Sequence, residues 1–232
     1  MADFKESLIK ISVTMDTKEL GEVSVAIARP KTFRLALALA HGAGGNMDAR
    51  FLQELSRGLA GQGAAAARFN FLYSENGKRA PDRQPQLKAC WRSVADWLKQ
   101  ELEPTALFLG GKSMGGRMAS YLAAEGYPCA GLVFLGYPLH PPERTDKLRK
   151  EHLPGISVPM LFIAGTRDPL SKIELLQATI GEIGELASLH VIPDGDHSFR
   201  VPKRAGRRES HITAEILDVT GRWMKMVVER NG

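Results

Sequence analysis

Apolar positions along the chain fall into short continuous runs, separated by longer stretches in which they recur every third or fourth residue. Leu8–Val13 and Val23–Ile27 read as two strands joined through a polar turn around Lys18–Gly21, an opening hairpin. After them strand and helix take turns. Leu35–Ala40 predicts a strand, the amphipathic stretch Asp48–Ala60 a helix, and Ala65–Phe69 a strand. Gln84–Leu102 is helical in pattern, Ala106–Leu109 a strand, Ser113–Ala124 a helix and Gly131–Leu135 a strand. Met160–Ala164, Ser171–Ile180, Leu189–Ile192 and Ser210–Val228 continue as strand, helix, strand and closing helix. Strands that are apolar throughout lose water on both faces, and parallel neighbours need crossover connections. The pattern predicts an α/β fold: a three-layer α/β/α sandwich around a mainly parallel sheet, in one domain spanning residues 1–232.

Composition narrows the function classes. The 232 residues are 44% hydrophobic and 25% charged, ordinary for a globular chain. A formal charge of +5 and a pI near 9.3 make the surface mildly basic. Lys203, Arg204, Arg207 and Arg208 concentrate that charge, but no stacking aromatics or binding motif accompany them, so a solvated loop is expected rather than a nucleic-acid site. The longest apolar run, Leu35–Ala40, is far short of the roughly 20 residues that span a bilayer, and no membrane association is expected. Cys90 and Cys129 are too few for a disulfide framework, and the N-terminus lacks a secretion pattern. A cytoplasmic setting follows as an expectation, with both cysteines inert packing residues. A parallel sheet with an exposed edge fits a monomer or a pair, so oligomeric state is left open.

Ligands of open α/β sheets bind outside the carboxyl ends of the strands, so chemistry is sought just after each apolar run. Gly111-Lys112-Ser113-Met114-Gly115 is a G-x-S-x-G between a predicted strand and helix, the context a nucleophile elbow requires. A phosphate-binding loop would need glycine five residues before Gly111, where Ala106 stands. Asp168 follows the strand Met160–Ala164, and His197 follows Leu189–Ile192. Ser, Asp and His thus occur in the chain order of the α/β-hydrolase triad, each after a different strand. A serine hydroxyl is a weak nucleophile at neutral pH and needs a base; a carboxylate fixes the imidazole tautomer and stabilises the imidazolium. These roles fall to Ser113, His197 and Asp168. Asp194 and Asp196 read as turn formers, and none of His140, His152, His190 or His211 follows a strand as His197 does. His41-Gly42-Ala43-Gly44-Gly45 follows Leu35–Ala40, so the Ala43 and Met114 N–H groups are the candidate oxyanion donors.

These motifs resemble the α/β-hydrolase superfamily over essentially the whole length. HGAGGNMD, RFNFLYSENGKRAPDR, GGKSMGGRMAS, GYPLHPP and GTRD are similar to a dienelactone-hydrolase-like branch that includes relatives of a testis-expressed protein and of a chromatin-complex subunit. The resemblance implies a serine hydrolase that cleaves a small ester or thioester through an acyl-enzyme, without metal or organic cofactor. Its partner is then a small-molecule acyl substrate. Thioesterases, peptidases and acyltransferases share the geometry. Ser113 stands where dienelactone hydrolases proper carry cysteine, so dienelactone hydrolysis itself is not implied. The chromatin-linked relatives imply an alternative, a noncatalytic interaction protein on a hydrolase scaffold. Only Gly136–Ser157 separates two strand segments, too little for a helical lid, and an open cleft is expected. Tyr73, Tyr137, Leu139 and His140 follow strands and are the candidate substrate-lining residues, with packing under loops as the alternative. Arg79 and Arg83 read as solvated loop residues, with carboxylate recognition the alternative. Met47 and Phe51 read as core.

Overall fold

The computed structural model describes residues 3–231, so the ends of the expected span 1–232 lie outside the described residues. Two long antiparallel strands, β1 (Phe4–Met15) and β2 (Lys18–Pro30), open the chain. The turn falls at Asp16–Thr17, with Asp16 at φ 56°, and not at Lys18–Gly21. The outer face of an edge hairpin meets water, so its residues need not be apolar. Glu19 and Glu22 belong to the ladder, opposite Thr14 and Ser12, and their polarity imitates a turn.

The remaining strands are β3 (Leu35–Ala40), β4 (Ala65–Phe69), β5 (Ala106–Lys112), β6 (Gly131–Leu135), β7 (Met160–Gly165) and β8 (Ala187–Ile192). The sheet order is β1-β2-β4-β3-β5-β6-β7-β8; β2 pairs antiparallel with β4, and every later pairing is parallel. The helices are α1 (Arg50–Gly61), the single turn α2 (Leu72–Glu75), α3 (Gln84–Leu102), α4 (Met114–Ala124), α5 (Ile173–Ile183) and α6 (Glu209–Asn231).

Side-chain alternation along β3 divides the core. Leu35, Leu37 and Leu39 pack with Leu52, Leu55 and Leu59 of α1 and Ile216 and Met224 of α6. Ala36, Ala38 and Ala40 belong to the opposite layer, with Trp91, Val94 and Leu98 of α3 and Met118 of α4. Small residues on that face leave room for Trp91, whose ring meets Phe69 edge-on at 4.8 Å. A fully buried Leu or Phe in either layer contributes roughly 1.5–3 kcal/mol. The result is the expected α/β-hydrolase fold. Between β6 and β7 the only helical turn is Leu153–Gly155, so no lid covers the carboxyl ends of the strands. No described helix is long and apolar enough to cross a membrane.

Candidate functional site

Ser113 is the single residue between β5 and α4, and its backbone sits at φ 51°, ψ −116°. That is strained for a residue with a side chain and persists only where its surroundings enforce it. The enforcement comes from the end of β3. A Cβ on Gly115 would lie 2.5 Å from the Ala40 carbonyl oxygen, and one on Gly111 would lie 2.4 Å from the same oxygen. Only glycine lets the strand-to-helix turn approach β3 this closely. The loop leaving β3 then lies against the serine, a Cβ on Gly42 falling 3.5 Å from that of Ser113.

The carboxyl ends of β7 and β8 bring Asp168 and His197 to the same place. Ser113 Oγ lies 2.9 Å from His197 Nε2, and Asp168 Oδ2 lies 2.7 Å from His197 Nδ1. Asp168 has a fully buried side chain, and its other oxygen accepts from the Leu170 N–H at 2.8 Å. With the carboxylate accepting from Nδ1–H, the neutral imidazole presents an unprotonated Nε2 to the serine hydroxyl. Asp196 instead accepts from the Ser198 and Arg200 N–H groups and shapes the histidine loop. Phe199 closes that loop with φ 64° and is itself buried.

The glycine loop after β3 is clamped from one side. His41 Nε2 accepts from the Phe71 N–H, and Nδ1 donates to the Gly42 carbonyl. Burial lowers the His41 pKa and keeps the ring neutral. Tyr73 Oη accepts from the Gly44 N–H at 3.2 Å and donates to the Gly42 carbonyl at 3.3 Å, while Ser74 Oγ donates to the Gly45 carbonyl. The Ala43 N–H donates to no group among the described residues. Met114 opens α4, where an N–H has no intrahelical acceptor.

The structure corrects the substrate-lining expectation. Tyr73, Tyr137, Leu139 and His140 are all at most 1% exposed and face the interior. Tyr73 holds the glycine loop. Tyr137 donates to the Arg149 carbonyl, and His140 Nε2 accepts from the Lys172 N–H, bracing the loop that carries Asp168. These polar tips find backbone partners inside, so the side chains pack under the loops. Arg79 and Arg83 are exposed and lie outside the cavity described next.

A cavity of about 560 Å³ opens between the glycine loop, the start of α1, the His197 loop and the start of α6; the sequence neighbours of Ser113 and His197, Lys112 and Ser198, line it, and Ser113 and His197 themselves do not. Its lining includes Ala43, Phe51, Lys112, Ser198, Phe199 and Ile212. Met47 is core, as expected, but Phe51 lines this space. Lys112 is the residue that sequence reasoning passed over, although it stands inside the G-x-S-x-G. Its Nζ is covered, has no hydrogen-bond partner among the described residues, and lies 5.5 Å from the Phe199 ring centroid.

The other candidates are accounted for elsewhere. Cys90 is buried and burial raises its pKa; Cys129 is half-buried and pushed up to about 11 by the same cause. His190 pairs with Glu215 and His152 with Ser120. Arg207 also pairs with Glu215, while Lys203, Arg204 and Arg208 are exposed. Among the described residues no group of three or more His, Cys, Asp or Glu side chains is arranged around a metal position.

Solved structures share this fold. A dienelactone hydrolase from Anabaena variabilis superposes with a TM-score of 0.76 at 19% identity, covering 97% of this chain and 98% of that one. A lidless α/β serine hydrolase from Xanthomonas campestris gives 0.69 at 19% identity, covering 97% and 94%. A cold-adapted esterase from an Arctic intertidal metagenomic library gives 0.70 at 18% identity, covering 96% and 95%. At these identities the likeness is one of fold. The sequence-family model for the alpha/beta hydrolase domain matches residues 33–225, most of the chain including every residue of the site above, and the protein belongs to that family.

Proposed function

We propose that the protein is a serine hydrolase that cleaves a small ester or thioester through an acyl-enzyme on Ser113. The observation that carries this reading is the hydrogen-bonded sequence Ser113–His197–Asp168 on a strained elbow. His197 takes the serine proton as Oγ attacks the carbonyl carbon, and Asp168 holds the ring and stabilises the imidazolium. The N–H groups of Ala43 and Met114 stabilise the oxyanion, each donor worth about 2.7–4 kcal/mol of barrier in comparable sites. His197 then protonates the leaving group, and water releases the acid by the same steps in reverse. The esterase named among the structural neighbours supports the same chemistry.

Labelling with a fluorophosphonate tests it. The wild type is expected to label, and Ser113→Ala and His197→Ala to lose the label while remaining folded. A folded wild type that does not label refutes the reading. It would give precedence to the interaction scaffold suggested by the resemblance to chromatin-linked relatives.

A further inference from the structure

The cavity lined by Lys112, Ala43 and Ser198 carries an unbalanced charge. Arg50, Lys112 and Arg200 line it with Glu54 and Glu209. Arg50 pairs with Glu54 at 2.7 Å, and Arg200 faces Glu209 at 3.8 Å. His41, the histidine of the lining, is neutral, which leaves the Lys112 ammonium as the charge without a counterpart. Two carboxylates attract it through space, Asp168 and Asp196, but both are committed to other donors and neither forms an ion pair with it. Burial lowers the Lys112 pKa to about 8, so the group is still an ammonium at neutral pH.

An ammonium buried without an acceptor is costly, and a bound ligand is the natural source of one. The position of Lys112 suits that role. Its stem passes Gly42, a Cβ there falling 3.7 Å from Lys112 Cγ, and Nζ ends near Gly136 and the Phe199 ring. Turning Nζ from Phe199 toward the cavity breaks no hydrogen bond. The apolar part of the wall, Phe51, Leu52, Phe199 and Ile212, suits a short methylene chain.

We propose that this cavity binds the acyl part of an ester whose far end is a carboxylate, with Lys112 as the residue that recognises the anion. The substrate class is the half-ester, or half-thioester, of a short dicarboxylic acid. The inference rests on the serine hydrolase reading for turnover, though not for binding. In the reaction Ser113 Oγ bonds to the ester carbonyl carbon, the alkoxide leaves with the proton held by His197, and water hydrolyses the acyl-enzyme. The products are a dicarboxylate, one proton and the alcohol.

The test compares kcat/KM for the monoethyl esters of glutaric, adipic and suberic acid with the ethyl esters of pentanoic, hexanoic and octanoic acid. A charge-assisted hydrogen bond in a desolvated site corresponds to a preference of about tenfold or more for the half-ester at the length that fits. The preference is expected to vanish in Lys112→Met and in Lys112→Gln, the second variant guarding against a packing fault in the first. In parallel, the free dicarboxylates are titrated calorimetrically into Ser113→Ala, where binding is expected, and into Ser113→Ala/Lys112→Met, where it is not. No preference at any length and no dicarboxylate binding overturn the proposal, even if fluorophosphonate labelling shows the hydrolase reading to be sound. A preference that survives both Lys112 variants also overturns it, because the carboxylate is then held elsewhere. Lys112-dependent binding in a protein that does not label keeps the site and refutes the hydrolase reading.

Discussion

Lys112→Met is expected to stabilise the protein near neutral pH. The fall in pKa from 10.5 to about 8 corresponds to about 3 kcal/mol against burying the charged form. Methionine keeps most of the apolar stem and its contacts, so the packing change is small. It forgoes the attraction of the ammonium for the Phe199 ring, about 0.5–1 kcal/mol. A net gain of about 2 kcal/mol remains at pH 7. The pH dependence identifies the cause. Below about 8 the lysine is charged in both folded and unfolded chains, and the wild type carries the whole penalty. Between about 8 and 10.5 the folded chain has released the proton that the unfolded chain retains, so the penalty fades as pH rises. Urea unfolding at pH 7 is expected to show a midpoint raised by about 1 M, for a slope near 2 kcal/mol/M. At pH 10 the difference is expected to shrink to a minor part of that. A midpoint at pH 7 equal to or below the wild type refutes the reasoning, as does a gain that is the same at both pH values.

Tyr73→Phe removes the hydroxyl that holds Gly42 and Gly44, and is expected to lower kcat about tenfold through loss of loop geometry, less than the hundredfold that a 1 Å misplacement can cost. Its unfolding free energy is expected to fall by only about 1 kcal/mol, which leaves the chain folded, and a kcat equal to that of the wild type would show that the loop geometry does not depend on the hydroxyl. Gly115→Ala drives a methyl group against the Ala40 carbonyl, and is expected to cost about 3 kcal/mol in urea unfolding and to abolish labelling of Ser113. A labelled variant of wild-type stability would show that the elbow does not need the close approach. His152 is held near a pKa of about 4, by burial first and by Arg117 in addition, with Glu151 opposing. Because the unfolded chain takes up that proton at higher pH, stability is full above about 6.5 and is lost as pH falls toward 4. Discounted for its partial exposure, the loss is about 1–2 kcal/mol, and His152→Gln is expected to flatten it in urea titrations across that window. An unchanged slope would assign the acid sensitivity to other groups.

The extent to which the site was legible follows from what each prediction depended on. The strands β3 to β7 are buried on both faces, so their residue types alone mark them; β8, at the sheet edge, is half-buried but keeps enough apolar residues to be read, and the positions after the strands follow from topology. Ser113, Asp168 and His197 are therefore readable as strand-end residues, and the fold places them within hydrogen-bonding distance of one another. The edge hairpin was not fully readable, because Glu19 and Glu22 are polar for the water outside and still pair in a ladder. Side-chain direction was not readable either. Tyr73 and Tyr137 follow strands as pocket residues do, but their hydroxyls meet Gly42, Gly44 and the Arg149 carbonyl, partners fixed only when the loops fold.

Lys112 is a residue whose place in the sequence does not reveal its surroundings in the fold. Its place in the G-x-S-x-G is plain, yet an x in that motif is free to face water, and most lysines do. Its burial depends on Phe199, which reaches it from the loop of His197, and on Gly136, where a side chain would collide with Nζ. The cavity wall likewise comes from α1 and α6, helices that carry no residue of the Ser–His–Asp sequence. The groups proposed to react thus sit where the sheet places them, while the groups that would choose a substrate are assembled from elements distant in sequence. That division explains why the proposed chemistry is readable from three strand ends, and why specificity has to be argued from Lys112, a cavity-lining cation whose Nζ is covered without a hydrogen-bond partner among the described residues.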